Sequence, residues 1–481
     1  MKKKILSMLL SMVLTVACFT GCGSNPSSGG ETGGAASTET PKNPEDMYTV
    51  TMAVIGNDQE DMDLVEAEMN KILAEKVGAQ IDVITLGWGV YQQQLQLMLS
   101  GAEKLDLVPI MYNNVSTYVN SGQVLDMSDL IDQYGVNMKA ALGEDILKIA
   151  NMNGYVYGVP VEKEWYADSC LVMRKDILDK YNLDVSNVKS LADCAPIFET
   201  IHENEPDMKI IVGAKDSLIG NVYFADVLSD RFGVLDNGGA DTTIVNYYET
   251  DNYKNLAATV HDYYEKGYID KDMATSTDAG TTILKAGNAF CFATPYKPGV
   301  AEQESLNTGY ELVAVRINPT PAFCYTNAVA AITWGIGQNC ENPEMTMKVL
   351  DYMYGDPELM NLFNWGIEGV HYVIKDAEND VIGFPDGVDA SNAKYNLNMG
   401  WELPNQYKIH VWEGSSRKIM DAQKEMNATA NKSKALGFMF DSTSVSNEIA
   451  ALNNVVSEYS SSIDCGAADP GKVHSTNRAA A

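Results

Sequence analysis

The stretch YTVTMAVI (48–55), DLVEAEMNKIL (63–73), QIDVITL (80–86), YQQQLQLMLS (91–100) and DLVPIMY (106–112) decides the fold. In the first piece Tyr48, Val50, Met52 and Val54 alternate with smaller or polar neighbours, the two-residue period of a strand. Val65, Met69, Ile72 and Leu73 then recur at helical spacing and share one face. Gln80–Leu86 reads as a second strand, Tyr91–Ser100 as a helix and Asp106–Tyr112 as a third strand. This β-α-β-α-β order requires right-handed crossovers and a largely parallel sheet with helices on its faces. Pro109 removes a ladder donor, which predicts that the third strand is short or lies at an edge. The acidic group Asp58, Glu60, Asp61 and Asp63 lacks the glycine and terminal glutamate of an EF-hand loop. It reads as capping and dipole compensation at a helix start.

The pattern continues as a second mixed set. Asn153-Gly154 begins a turn, Tyr155–Val161 is a short strand, and Cys170–Arg174 is another, followed by a helix from about Asp176. Strand character returns at Lys209–Val212, Ala289–Ala293 and Ala328–Gly337. Asn252–Lys266 is helical and ends at Gly267. Helices are predicted over Met345–Tyr354, Pro357–Asn364, Lys418–Thr429 and Ser446–Ser460. In the last of these Ile449, Leu452, Val456 and Tyr459 form a stripe expected to be core. A chain of 481 residues exceeds one simple core and suits two domains.

Upstream, Lys2, Lys3 and Lys4 precede an uncharged, largely apolar run from Ile5 to Phe19, then Thr20, Gly21 and Cys22. Residues 1–21 read as a secretory signal peptide. The small residues before Cys22 resemble a lipobox, with Phe19 where leucine is usual, so Cys22 is the expected lipid-bearing first residue of the mature chain. The apolar run is shorter than the roughly 20 residues of a membrane span. Residues 22–47, rich in Gly, Ser, Thr and Pro, are expected to form a flexible tether.

The net charge of −31 excludes a phosphate-neutralising surface and argues against nucleic acid. Beyond Cys18 and Cys22, six cysteines remain: Cys170, Cys194, Cys291, Cys324, Cys340 and Cys465. They show no CxxC pair and no zinc spacing. Most read as small buried apolar residues, with bridges left open. No GxSxG, HExxH or dinucleotide fingerprint occurs, and no histidine stands at ligand spacing from another. Gly466–Lys472 nears P-loop spacing, but Val473 replaces the required Ser or Thr. No catalytic residue, cofactor or metal is expected. Carboxylates are too many for counting to exclude a glycosidase pair.

Several phrases carry a resemblance: WGVYQQQLQLMLSGAEKLD from Trp88, Tyr157-Gly158-Val159-Pro160, Arg174-Lys175-Asp176 with Tyr181-Asn182-Leu183, and Asn342-Pro343-Glu344. NWGIEGVHYVI from Asn364, FPDGVDASNAKYNLNMGWE from Phe384 and KSKALGFMFDS from Lys432 add to it. In their order the chain resembles family 1 of the bacterial extracellular solute-binding proteins of ABC importers. In particular it resembles LipO-like lipoproteins with a C-terminal domain of unknown function. The resemblance implies a two-lobed α/β fold of the class II periplasmic-binding type, each lobe a mixed, mostly parallel sheet flanked by helices, with a helix-rich C-terminus. Lobe 1 is expected over 48–160 and about 322–355. Lobe 2 is expected over 161–321 and about 356–462, and 463–481 as a disordered tail. Crossings are expected at Tyr157–Val161, within Ala322–Val329 and around Asp351–Asp356.

The same resemblance implies a non-catalytic monomer on the outer face of the cytoplasmic membrane. It would capture a carbohydrate, expected to be an oligosaccharide, and deliver it to a permease. Peptides or other small polar solutes, and a membrane-anchored glycan hydrolase, stand as alternatives. A sugar offers an apolar face and a ring of hydroxyls, which aromatic planes, carboxylates and amides complement. Residues expected at the ligand are Trp88, Tyr91, Tyr112, Asn114, Glu162, Glu164, Trp165, Tyr166, Tyr223, Tyr296, Trp365 and Trp401. The cluster Glu162–Tyr166, directly after the first crossing, is the expected centre.

Overall fold

The computed structural model describes residues 46–101, 103–317 and 322–472. The expected signal peptide, Cys22 and the expected tether up to residue 45 lie outside the described residues.

The opening β-α-β-α-β reading is what forms. Tyr48–Ile55 pairs in parallel with Ala79–Leu86 on one side and with Leu107–Met111 on the other. Ile332–Ile336 joins Leu107–Met111 antiparallel, and Val159–Pro160 closes the sheet on its far side. The strand carrying Pro109 is short, as its missing N–H dictates, yet it lies inside the sheet. The helix Met62–Lys76 buries Val65, Met69 and Leu73 against this sheet. Asp61 makes no side-chain cap there and pairs instead with His371 Nε2 at 3.2 Å.

The second sheet runs in the order Leu312–Arg316, Ser169–Arg174, Ala289–Pro295, Lys209–Ile211. Ser169–Arg174 is antiparallel to both neighbours, and Ala289–Pro295 is parallel to Lys209–Ile211. Each sheet has its own core. Met52, Leu107, Trp334 and Tyr354 belong to the first; Leu171, Phe198, Tyr263 and Phe290 belong to the second. The fold is thus a two-lobed α/β architecture of the expected class.

The chain passes between the cores in three places, and the passing segments lie side by side. Phe323–Cys324 pairs antiparallel with Tyr166–Ala167 and parallel with Asn431–Lys432. The first crossing therefore falls a few residues beyond Tyr157–Val161, because Val159–Pro160 still belongs to the first sheet. The second lies within Ala322–Val329. The third corrects the expectation at Asp351–Asp356. Helix Pro343–Gly355 is buried in the first core, and Leu359, Phe363, Tyr395, Leu403 and Ile409 follow it there. Residues from 356 to about 412 thus pack with lobe 1 instead of lobe 2. Apolar burial against the first sheet, not chain order, decides the assignment.

Two C-terminal expectations also change. The stripe on helix Ser446–Asp464 is not core: Leu452 is 44% exposed, and the helix lies open along helix Asp251–Glu265. The segment from 463 is ordered as far as 472. Cys465 is buried, and Asp464 accepts the N–H groups of Leu218 and Ile219 at 2.9 and 2.8 Å. Residues 473–481 lie outside the described residues. Among the described residues no helix is long and apolar enough to cross a membrane. The six cysteines described are free thiols.

Candidate functional site

Loops leaving the carboxyl ends of parallel strands are where open α/β sheets hold ligands. Trp88 follows Ala79–Leu86 in such a loop and is 50% exposed. Its indole stacks on Trp401, with ring centroids 5.7 Å apart and planes 26° apart. Tyr91 meets Trp88 edge-on at 6.0 Å. Gln92 Nε2 donates to Asn114 Oδ1 at 3.3 Å, which brings the next loop alongside. Trp88, Tyr91, Asn114 and Trp401 thus gather at one edge of the first sheet.

The loop carrying Trp401 is held from below by Glu402, a fully buried carboxyl. Its Oε1 accepts the Ile55 N–H at 2.8 Å, and its carbonyl accepts the Trp334 indole N–H at 2.8 Å. Burial pushes this acid up to about 8, against the Ile55 hydrogen bond that lowers it. Sequence reasoning missed Glu402, since nothing local marks it as buried.

A concavity of 530 Å³ lies on the seam where lobe 2 meets the second crossing. Tyr223, Arg231 and Tyr247 line it from lobe 2, Tyr325 and Asn327 from the second crossing, and Asn453 from the last helix. Tyr223 stacks on Tyr247 at 4.9 Å and donates its hydroxyl to Asp236 at 2.6 Å. Tyr112 is buried near this seam, its hydroxyl without a partner. Asp226, beside the cavity-lining Ala225 and Val227, is fully buried. Its Oδ2 accepts from Ser433, and its Oδ1 has no partner. With no cation among the influences on it, burial raises its carboxyl despite the Ser433 bond. Arg231, Tyr247, Tyr325, Asn327 and Asn453 had no pattern to reveal them. Tyr325 and Asn327 alone fell inside a span read as a crossing.

The cluster Glu162–Tyr166 departs from its expected role as the centre. Glu162 is 3% exposed and pairs with Lys424 at 3.1 Å. Burial raises it and Lys424 opposes the rise. Glu164 accepts from Gln406 at 3.0 Å and faces Lys297 at 3.7 Å. Burial pushes it up, but Lys163 and Lys297 hold it below the usual range. Trp165 is buried in the first core, its indole N–H on the Val161 carbonyl at 2.9 Å and its backbone N–H on Asn427 Oδ1 at 2.8 Å. Tyr166 is a buried member of the crossing sheet. These groups tie the crossing to helix Arg417–Thr429. Trp365 is likewise core, 4% exposed, its indole N–H on His410 O at 3.2 Å and its ring 4.9 Å from Trp412. Tyr296 is half-buried under Arg316, 4.9 Å from the ring centroid. Among the described residues no group of His, Cys, Asp and Glu is arranged to hold a metal.

Bacterial extracellular solute-binding proteins match over residues 56–359. The chain belongs to that family. As a solute-binding protein it is a non-catalytic component of transport. Residues 434–480 match a domain of unknown function. A carbohydrate ABC transporter substrate-binding protein of Streptococcus pneumoniae serotype 4 is 29% identical over 430 residues, covering 89% of this chain and 85% of that one. The crystal structure of the N-glycan transport solute-binding protein NgtS from Streptococcus pneumoniae matches with a TM-score of 0.79 and 26% identity. It covers 90% of this chain and 95% of that chain. Structures of NgtS in complex with Man1GlcNAc and with Man5GlcNAc match at TM-scores of 0.69 and 0.65.

Proposed function

We propose that this solute-binding protein captures a carbohydrate, in particular an oligosaccharide, between its lobes and passes it to the permease of an ABC importer. The observation that carries the reading is the half-exposed Trp88 stacked on Trp401 beside Tyr91, at the carboxyl edge of the first sheet. An apolar plane left in water at a strand-end loop suits the flat face of a pyranose. The tyrosine, arginine and asparagine side chains of the seam cavity suit its hydroxyls. The relatives named above, one a carbohydrate transporter component and one an N-glycan transport protein, support the same class.

The three crossings, lying side by side in one small sheet, favour closure about one axis, with ligand contacts from both lobes shifting the population toward the closed form. Cys22, acylated after removal of residues 1–21, would tether a monomer of the LipO-like type to the outer face of the cytoplasmic membrane and raise its local concentration at the permease. Native mass spectrometry of the purified protein tests the reading: a copurifying, chemically intact oligosaccharide is expected. A copurifying peptide, or release of shortened glycan, would refute it.

A further inference from the structure

The C-terminal segment that matches a domain of unknown function holds the seam cavity from several sides. Lys434 N–H donates to Gly239 O at 3.0 Å, and Phe440 N–H donates to Leu228 O at 3.1 Å, both in lobe 2. Thr326, on the second crossing, donates its hydroxyl to Ala435 O at 3.2 Å and accepts Gly437 N–H at 3.0 Å. Asn120 of lobe 1 donates to Thr443 Oγ1 at 3.1 Å. At the far end, Asp464 caps the helix Leu218–Val222, which leads into cavity-lining Tyr223. One segment thus fastens lobe 1, the crossing and lobe 2 around a single concavity.

Between these fastenings the helix Ser446–Asp464 brings Asn453 into the lining, together with Asn327. Asn453 is an exposed residue on a helix anchored near both ends, and no hydrogen bond holds its carboxamide to the described residues. A carboxamide offers two donors and an acceptor, so it can engage a hydroxyl in either sense without carrying charge. Building on the carbohydrate reading above, we propose that the C-terminal domain of unknown function is a working part of the ligand site. Its segment Lys434–Asp464 frames the cavity, and Asn453 binds hydroxyls of a neutral oligosaccharide there.

The test uses an array of immobilised neutral oligosaccharides that includes Man1GlcNAc and Man5GlcNAc, followed by calorimetry with the tightest binder. Wild type, Asn453→Ala and Asn454→Ala are compared; Asn454 is the exposed neighbour outside the cavity lining. Loss of one ligand hydrogen bond should weaken binding by Asn453→Ala about tenfold. Asn454→Ala should bind as wild type does, and both variants should melt with it. Binding by Asn453→Ala within about twofold of wild type, or equal weakening by both variants, overturns this proposal and leaves the carbohydrate reading standing. A wild type that binds no glycan on the array overturns the carbohydrate reading itself.

Discussion

The indole of Trp88 lies against that of Trp401 at 5.7 Å between centroids, although 313 positions separate them in the chain. Trp88 belongs to the opening α/β pattern and Trp401 to the C-terminal part that returns to lobe 1. Trp88→Ala should weaken oligosaccharide binding by about tenfold or more through the lost stacking plane. The melting temperature should hold, because half of the Trp88 surface is already in water. Titration calorimetry and a thermal melt check the two halves of this expectation.

Glu402 makes stability depend on pH. Its folded-state carboxyl stands near 8, above the ordinary 4.5, so the folded chain binds more protons than the unfolded chain between those values. The stabilising term is fully present below about 4.5 and is lost as pH rises through 8. Glu402→Gln keeps an oxygen for the Ile55 N–H and removes the titration. Its melting temperature should fall less than that of wild type between pH 5 and pH 9, measured by scanning calorimetry in buffers of matched ionic strength.

Asp351 accepts three hydrogen bonds: from the backbone N–H groups of Asn137 and Met138 at 2.8 and 3.0 Å, and from Asn137 Nδ2 at 2.9 Å. Asp351→Ala strands these donors at the start of helix Val136–Leu142 and should cost about 2–3 kcal/mol. Asp351→Asn, which keeps an acceptor, should cost less. Urea unfolding of the three proteins measures the order.

The described cysteines should stay reduced and slow to react. Cys170, Cys194, Cys291, Cys324 and Cys465 are buried, and burial raises each of these thiols. Alkylation of the folded protein should label Cys340 first, since it alone of the six is partly exposed. In denaturant all six should react without prior reduction. A bridge would appear as a pair of thiols that react only after reductant.

How far the fold was legible follows from where periodicity could speak. The strands Tyr48–Ile55 and Ala79–Leu86 and the helix Met62–Lys76 carry clean two- and 3.6-residue patterns, and they form as read. Asn431–Lys432 is a two-residue strand with both side chains exposed, so no pattern could place the third crossing there. The return of Leu359, Phe363 and Tyr395 to lobe 1 depends on burial partners hundreds of positions away. The same limit divides the aromatics. Trp88 and Trp365 both sit in glycine-rich neighbourhoods, yet one faces water and the other is core. Glu162 and Glu164 lie beside a crossing as expected, but Lys424, Lys297 and Gln406 occupy the charges and lone pairs that a ligand there requires.

Ile332–Ile336 sits between Leu107–Met111 and Val159–Pro160. A chain growing from its N-terminus cannot finish its first sheet until that late strand has left the ribosome. The second sheet draws its strands only from Ser169 to Arg316, and of its core only the edge near Leu218 awaits the late residues Asp464 and Cys465. Maturation therefore runs against the order of the sequence: the lobe encoded in the middle can settle early, while the lobe that begins the protein waits, partly open, for its own ending.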